Sequence, residues 1–273
     1  MARNSLKSVM RLIDIQKVET PPETTFLNDL KRSIELTDEK NIRKPSQSYK
    51  PSSMNCIRNM YYQIIGAEPD KESSSYTLVG ICNSGSDIHE RIQRAVSTMK
   101  SNAIDCEYVD IEKFISSREL KDVRVVAKSG METKLFHSGL NMSFMCDGII
   151  RYGGKYYIME LKTETSNKFF MRKEVDPKHY NQATAYSIAF GLNDVIFVYI
   201  SRDTLDMKSF MFHVTDEMKQ ELTAKIMECD NYVKSGKVPP KPLEEGPKLC
   251  NYCSYKALCR KGEFYGNERN ISV

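Results

Sequence analysis

Two acidic residues and a lysine are the side chains of this sequence best placed to do chemistry together. Residues 140–151 and 155–163 are β-rich runs, and Gly153-Gly154 between them is the signal for a two-residue hairpin turn. Such a turn pairs Tyr152 with Lys155, and counting pairs back along the two strands sets Asp147 directly opposite Glu160. Their Cβ atoms would then lie about 4.5–5.5 Å apart. Like charges placed opposite one another destabilise a sheet, and a divalent cation between them removes the repulsion. Lys162 projects from the same face as Glu160, because strand side chains alternate with period two. Phe144, Cys146, Ile150, Tyr157, Met159 and Leu161 are left for the opposite, core-packed face.

Hard oxygen ligands of this kind suit Mg²⁺ or Mn²⁺. Such an ion can activate water and stabilise charge on a phosphate, and a nearby lysine can position the nucleophile or neutralise the transition state. An isolated Glu-x-Lys is common and can also be an ordinary solvated face. Other residues point the same way. Gln182 and Tyr186 lie four apart on a predicted helix and share one of its faces. His89 sits in Gly-Ser-Asp-Ile-His-Glu, with Gly85 four residues earlier. Each of these taken singly also fits an ordinary amphipathic helix or a surface histidine.

The elements that must hold these groups can be read around them. Helical spacing appears at residues 6–13 and again at 26–34 after Pro21-Pro22, forming an accessory lobe. A polar linker is expected over residues 44–51. A helix over 54–65 follows with Ser52-Ser53 as N-cap and Gly66 at its end. Residues 68–75 read as a loop, and a helix carrying His89 should start near residues 84–87 and run to about 100. A helix follows Pro177 and ends at Gly191. Strands are expected at 195–200 and 209–214, with a long helix from Thr215 to Gly236. Residues 238–247 are Pro-rich and extended, and residues 105–128 carry no clear pattern.

With 273 residues the chain can bury one sizeable core, with room for a small added lobe. Forty Lys and Arg against 36 Asp and Glu give a net charge of +4, which permits nucleic-acid binding without arguing for it. The first 17 residues lack the apolar run of a signal peptide, and the apolar stretch 195–200 is too short to span a bilayer. A cytoplasmic protein with no membrane attachment is therefore expected. In a reducing compartment its eight cysteines suggest metal ligands more than disulfides. Cys250, Cys253 and Cys259 form a C-x2-C-x5-C run near the end. No Gly-x4-Gly-Lys-Ser/Thr phosphate loop is present.

Taken in order, Gly85…His89, Asp147, Glu160-Leu161-Lys162 and Gln182…Tyr186 resemble the RecB-like branch of the PD-(D/E)XK nucleases. The resemblance spans residues 56–259. It implies that His89, Asp147, Glu160 and the Leu161 backbone carbonyl bind the catalytic metal, with Lys162, Gln182 and Tyr186 completing the catalytic set. One departure is Phe144, where the family often has glycine three residues before the acid. The distribution of one early cysteine, Cys56, with Cys250, Cys253 and Cys259 is similar to the nuclease domains of AddB and the CRISPR-associated RecB-like exonucleases. There four thiolates hold a 4Fe–4S cluster. Spacing alone equally allows tetrahedral zinc.

The expected fold is thus α/β: a restriction-endonuclease-like mixed central sheet flanked by helices, with a helical iron–sulfur lobe formed by N- and C-terminal segments. Residues 1–80 would be the N-terminal lobe, 81–236 the nuclease core, and 237–273 the connector and cysteine segment. The function implied is a metal-dependent DNA exonuclease on single strands or free ends. Recombination, repair, phage replication or CRISPR spacer processing are the settings, and recombination, replication or CRISPR adaptation proteins the partners. A non-catalytic DNA-binding or assembly subunit, or a sequence-specific endonuclease, is the alternative. The intact Asp147, Glu160 and Lys162 argue against the first of these.

Overall fold

The computed structural model describes residues 21–40, 47–70, 75–241, 250 and 253–264. The helix expected over residues 6–13, the start of the linker, part of the loop after Pro69 and most of the Pro-rich connector lie outside these. The chain divides into two units, Met1–Ile42 with Ser73–Gly80, and Arg43–Glu72 with Ile81–Val273.

In the first unit α1 (Pro22–Lys40) carries the spacing seen in the sequence. Phe26, Leu27 and Leu30 nevertheless remain exposed. Lys31 sits 4.9 Å above the Tyr76 ring, and Glu35 accepts the Tyr76 amide at 3.1 Å.

The second unit holds two sheets. β1 (Cys106–Tyr108), β5 (Gly148–Tyr152), β6 (Lys155–Glu164), β7 (Asp194–Ser201) and β8 (Met207–His213) form the central five-stranded sheet in the order β1-β5-β6-β7-β8. Only the β6–β7 pair is parallel, so the sheet is mixed. A second, three-stranded sheet is made of β2 (Val123–Ser129), β3 (Glu132–His137) and β4 (Met142–Cys146). β1, α4 (Ile111–Ser117) and most of β2 occupy residues 105–128, the segment whose sequence carried no clear pattern, while β4 falls in the β-rich run expected over 140–151.

Helices cover both faces of the central sheet. α3 (Tyr76–Thr98) packs Ile88 on the face of Ile150, Met159, Leu161 and Ile200. It starts about eight residues earlier than the sequence suggested. Gly80, Asn83, Ser84 and Gly85 read as breakers, but a Cβ on Gly85 would lie 3.3 Å from Thr163 Oγ1. The missing side chain lets the helix approach β6, and packing overrides local propensity. The other face carries Ile149, Ile158, Val195, Phe197 and Tyr199 beneath α6 (Tyr180–Phe190). α6 is buried around most of its circumference, including Gln182, Thr184 and Ser187. It is a core helix and not a one-sided amphipathic one.

Before the sheet, α2 (Ile57–Ile64) is capped at Cys56 and ends at Gly66, whose φ of +70° closes the turn. The expected cap residues Ser52-Ser53 instead form a separate 3-10 turn at Pro51–Ser53, since Pro51 pre-sets its first residue. α5 (Ser166–Met171) follows β6, and α7 (Asp216–Ser235) runs from the Thr215 cap to Gly236 as the sequence predicted. α8 (Lys256–Phe264) is the last element. No helix among the described residues is long and apolar enough to cross a membrane.

Candidate active site

The hairpin has the register its turn demanded. Tyr152 pairs with Lys155, and the ladder runs to Gly148–Met159. It stops one pair short of Asp147 and Glu160. The single run expected over residues 140–151 is broken at Asp147, where the chain leaves the three-stranded sheet and enters the central one. That break also corrects the expected faces. Phe144 and Cys146 pack with Tyr186 and Phe190 in the larger core, while Ile150, Met159 and Leu161 belong to the smaller one. Phe144, the departure from the family pattern, lies 5.5 Å from the Tyr186 ring.

Because the paired strand ends there, the Leu161 amide has lost its ladder partner. Asp147 supplies one: its Oδ2 accepts the Leu161 N–H at 2.7 Å, and its Oδ1 lies 2.9 Å from His89 Nδ1. The Asp147 carbonyl is held twice more, by Gln93 Nε2 and by the Tyr108 hydroxyl, each at 2.7 Å. Gln93 lies one helical turn beyond His89, on the same face. That i, i+4 spacing was the available signal for a residue the sequence reading missed. Tyr108 fell in the illegible segment. Gly148 makes room for it, because a Cβ there would sit 2.7 Å from the Tyr108 ring.

Glu160 lies across this junction, 3% exposed. Its Oε1 accepts Lys162 Nζ and Gln182 Nε2, both at 2.6 Å. Lys162 also donates to Gln182 Oε1 at 2.9 Å. The Gln182 amide reaches the Tyr186 hydroxyl at 2.9 Å, and that hydroxyl donates to the Met145 carbonyl at 2.6 Å. Tyr186 thus ties α6 to β4, and Gln182 ties it to β6. The second carboxylate oxygen, Glu160 Oε2, is buried with no hydrogen-bond partner. Burial pushes the Glu160 carboxyl up to about 7; Lys162 opposes that shift and Asp147 adds to it. Burial works to lower the His89 imidazole, but the bond and charge of Asp147 outweigh it and hold it above its ordinary value.

The structure therefore gathers these residues in two hydrogen-bonded groups, His89–Asp147–Leu161 and Glu160–Lys162–Gln182–Tyr186, which adjoin where Glu160 and Leu161 are neighbours on β6. Among the described residues no three of His, Cys, Asp and Glu stand in a ready-made coordination set. The residues nonetheless fit a hard divalent cation in kind. An unpartnered buried carboxylate oxygen costs roughly 1–3 kcal/mol or more, and a cation is the partner that satisfies it. With its Nδ1 turned to Asp147, neutral His89 keeps the Nε2 lone pair for a metal.

Two residues farther along the same face of β6, Glu164 receives both arms of Arg172 at 2.7 Å. Arg172 also lies 4.1 Å above the Tyr199 ring. His179 binds the Tyr199 hydroxyl at 2.9 Å, and burial, with Lys162 and Lys178 beside it, pushes its imidazole down to about 2. None of these was singled out in the sequence.

At the cysteine segment, Cys56 heads α2, and two side chains of that helix reach the tail. Arg58 donates to Cys259 Sγ at 3.2 Å and to the Pro239 carbonyl at 2.7 Å, while Asn59 lies 3.6 Å from Cys253 Sγ. Burial raises the Cys253 thiol, and Cys56, Cys250 and Cys259 each add to that shift, but among the described residues no three cysteines stand in a ready-made coordination set. Asp70 fastens the tail further by accepting the Ala257 amide at 2.6 Å. Tyr255 is buried against Tyr62, with ring centres 5.6 Å apart. Cys106, Cys146 and Cys229 are buried elsewhere.

No protein-family model matches the chain, and no curated protein sequence does. Among solved structures, SSO0001 is 18% identical and matches over 86% of this chain and 97% of its own, with a TM-score of 0.45. LHK-Exo in complex with dAMP is 11% identical over 81% of this chain and 96% of its own, at a TM-score of 0.44. A second structure of that alkaline exonuclease, from Laribacter hongkongensis, is 10% identical over 81% and 96%, at 0.38. At these scores the likeness is one of general layout, and the case for function comes from this chain's own side chains.

Proposed function

We propose that this chain is a divalent-metal-dependent nuclease that hydrolyses phosphodiester bonds in DNA. The observation that carries the reading is Glu160: a buried carboxylate with Lys162 and Gln182 on one oxygen and nothing on the other. A binding module gains nothing from such a group, whose burial works against its charge. Bound there, Mg²⁺ or Mn²⁺ would supply an activated water and charge neutralisation at phosphorus. His89, Asp147, Glu160 and the Leu161 carbonyl are the residues to hold it. Lys162 brings a positive charge to the phosphate oxygens, and Gln182 and Tyr186 keep Glu160 and Lys162 in place.

The finer reading is an exonuclease that starts at DNA ends and prefers single strands, which the RecB-like resemblance suggests. The experiment is cleavage of end-labelled linear DNA and of covalently closed single-stranded DNA of the same sequence, with Mn²⁺ or Mg²⁺. Cleavage of linear DNA that Glu160→Gln abolishes supports the nuclease. Equal initial rates on the closed circle would defeat the end dependence alone, and no cleavage of either DNA would defeat both.

We infer further that Cys56, Cys250, Cys253 and Cys259 hold a metal centre that joins α2 to the tail. Their sulfur donor set fits a 4Fe–4S cluster or zinc, and the resemblance favours iron. Arg58 and Asn59, turned toward the Cys259 and Cys253 sulfurs, are suited to stabilise thiolate charge. Its role would be structural, because a link between residues so far apart in sequence closes a very long loop. By analogy with a cross-link, that is worth on the order of 5 kcal/mol.

A further inference from the structure

Beside the candidate active site, two lysines converge on a single carboxylate oxygen. Asp176 Oδ2 lies 3.2 Å from Lys168 Nζ and 3.6 Å from Lys178 Nζ, with Arg172 at 3.4 Å. Lys168 is also 3.8 Å from Glu164. The cations Lys168, Arg172 and Lys178 outnumber the carboxylates Glu164 and Asp176 by one. Arg172 is spent on Glu164 through its two-pronged pair and is almost wholly buried. Asp176 is thereby left between two ammonium groups that it cannot both neutralise.

Stability does not account for this arrangement. Exposed ion pairs add little to stability, and two like charges brought to one oxygen repel. Lys178 and Asp176 are held there by their backbone and not by choice of rotamer alone. Asp176 Oδ1 accepts the Lys178 amide at 3.2 Å, Asn55 holds the Lys178 carbonyl at 2.7 Å, and the Asp176 amide donates to Tyr199 at 3.0 Å. The Lys178 ammonium is lowered by burial and by its neighbour Lys168. Both side chains still keep close to half of their exposure, 44% and 46%, so a ligand can reach them.

Position ties the pair to the chemistry. Glu160, Lys162 and Glu164 alternate along one face of β6, and Glu164 carries Arg172 and Lys168. One strand step of two residues, roughly 6.6 Å, therefore separates Lys162 from the carboxylate that anchors this cluster. His179 lies within electrostatic reach of Lys162, Lys178 and Lys168 together. We propose that Lys168 and Lys178, seated on Asp176, form a phosphate subsite that grips a backbone phosphate next to the one being cleaved. The subsite rests on the nuclease reading above. It neutralises the surplus charge with the ligand itself and sets which phosphate reaches Glu160 and Lys162.

The test separates binding from cleavage. A fluorescein-labelled single-stranded oligonucleotide is titrated against the full chain without divalent metal, across a salt series, and read by anisotropy. Lys168→Ala with Lys178→Ala should weaken binding about tenfold and flatten the log–log salt slope by about 0.7–1, as loss of one phosphate contact requires. Lys155→Ala, at the exposed hairpin turn, should leave both unchanged. The paired Gln variants should repeat the loss, which excludes a packing defect. In cleavage with Mn²⁺, oligonucleotides carrying a single uncharged methylphosphonate are compared. Wild type should be slowed at one fixed distance from the cut, and the double variant should not be. Unchanged affinity and slope in the double variant, or a loss matched by Lys155→Ala, would overturn the subsite. Failure of the wild type to cleave at all, with the binding loss intact, would instead overturn the nuclease reading.

Discussion

Lys162 Nζ lies 2.6 Å from Glu160 Oε1, and the other oxygen of that carboxylate is buried without a partner. The pair is thus lopsided, half neutralised by the lysine and half open. Its two members should respond differently to substitution, and that difference distinguishes a catalytic pair from a structural one.

Glu160→Gln should abolish cleavage, by about a thousandfold or more, while leaving the melting temperature of the metal-free protein equal or higher. Lys162→Met should also abolish cleavage, but it leaves Glu160 without its counter-charge and should cost about 1–3 kcal/mol. Thermal melts and cleavage rates on the same preparations check both. A Glu160→Gln protein that melts lower and still cuts DNA contradicts the assignment.

Gly148→Ala tests how Asp147 is positioned. The new methyl group would press on the Tyr108 ring, and the Tyr108 hydroxyl is one of the two donors that hold the Asp147 carbonyl. A loss of about 1–3 kcal/mol in stability is expected from overpacking, together with a clear fall in turnover. Tyr108→Phe removes the donor without the clash, so it should lower turnover with a smaller loss of stability. Denaturant titration and turnover number, measured together, separate the two effects.

His179 should make the protein sensitive to acid. The unfolded chain takes up a proton on this residue near pH 6.5, whereas the folded chain refuses it until about 2. Stability is therefore lost as pH falls below about 6.5, at up to roughly 1.4 kcal/mol per unit. His179→Gln removes that proton, so its stability between pH 6 and 4 should decline less steeply than that of the wild type. Parallel slopes in urea titrations across that range would argue against a buried neutral imidazole.

Protein purified without oxygen should be brown, with iron and sulfide near four per chain if the centre is a 4Fe–4S cluster. Cys250→Ser should lose the colour and expose the segment 253–264 to limited proteolysis, because that segment is joined to α2 through the same centre. Stoichiometric zinc in a colourless protein would refute iron and keep the link. A metal-free chain with a protected tail would refute the centre itself.

Local chemistry determined much of what surrounds the site. Gly153-Gly154 set the hairpin and its register, since a two-residue turn leaves only one pairing. Thr215 and Gly236 bounded α7 because a cap side chain and a left-handed glycine act within one helical turn. Hairpin spacing also set Asp147, Glu160 and Lys162 on one face, and the family resemblance joined His89, Gln182 and Tyr186 to them. The break at Asp147 was not legible, because residues 140–151 alternate like one strand. The change of sheet comes from what β4 and β5 each pair with, far away in sequence. The start of α3 depended likewise on a close approach between Gly85 and β6 that local propensity opposes. Only the tertiary structure decided that the Leu161 amide would be left for Asp147, and that Gln93 and Tyr108 would hold the Asp147 carbonyl. The same holds for Arg172, drawn to Glu164 so that two lysines meet at Asp176. A strand pattern records which face a side chain takes, but an orphaned amide or a crowded carboxylate arises only where separate elements end against one another.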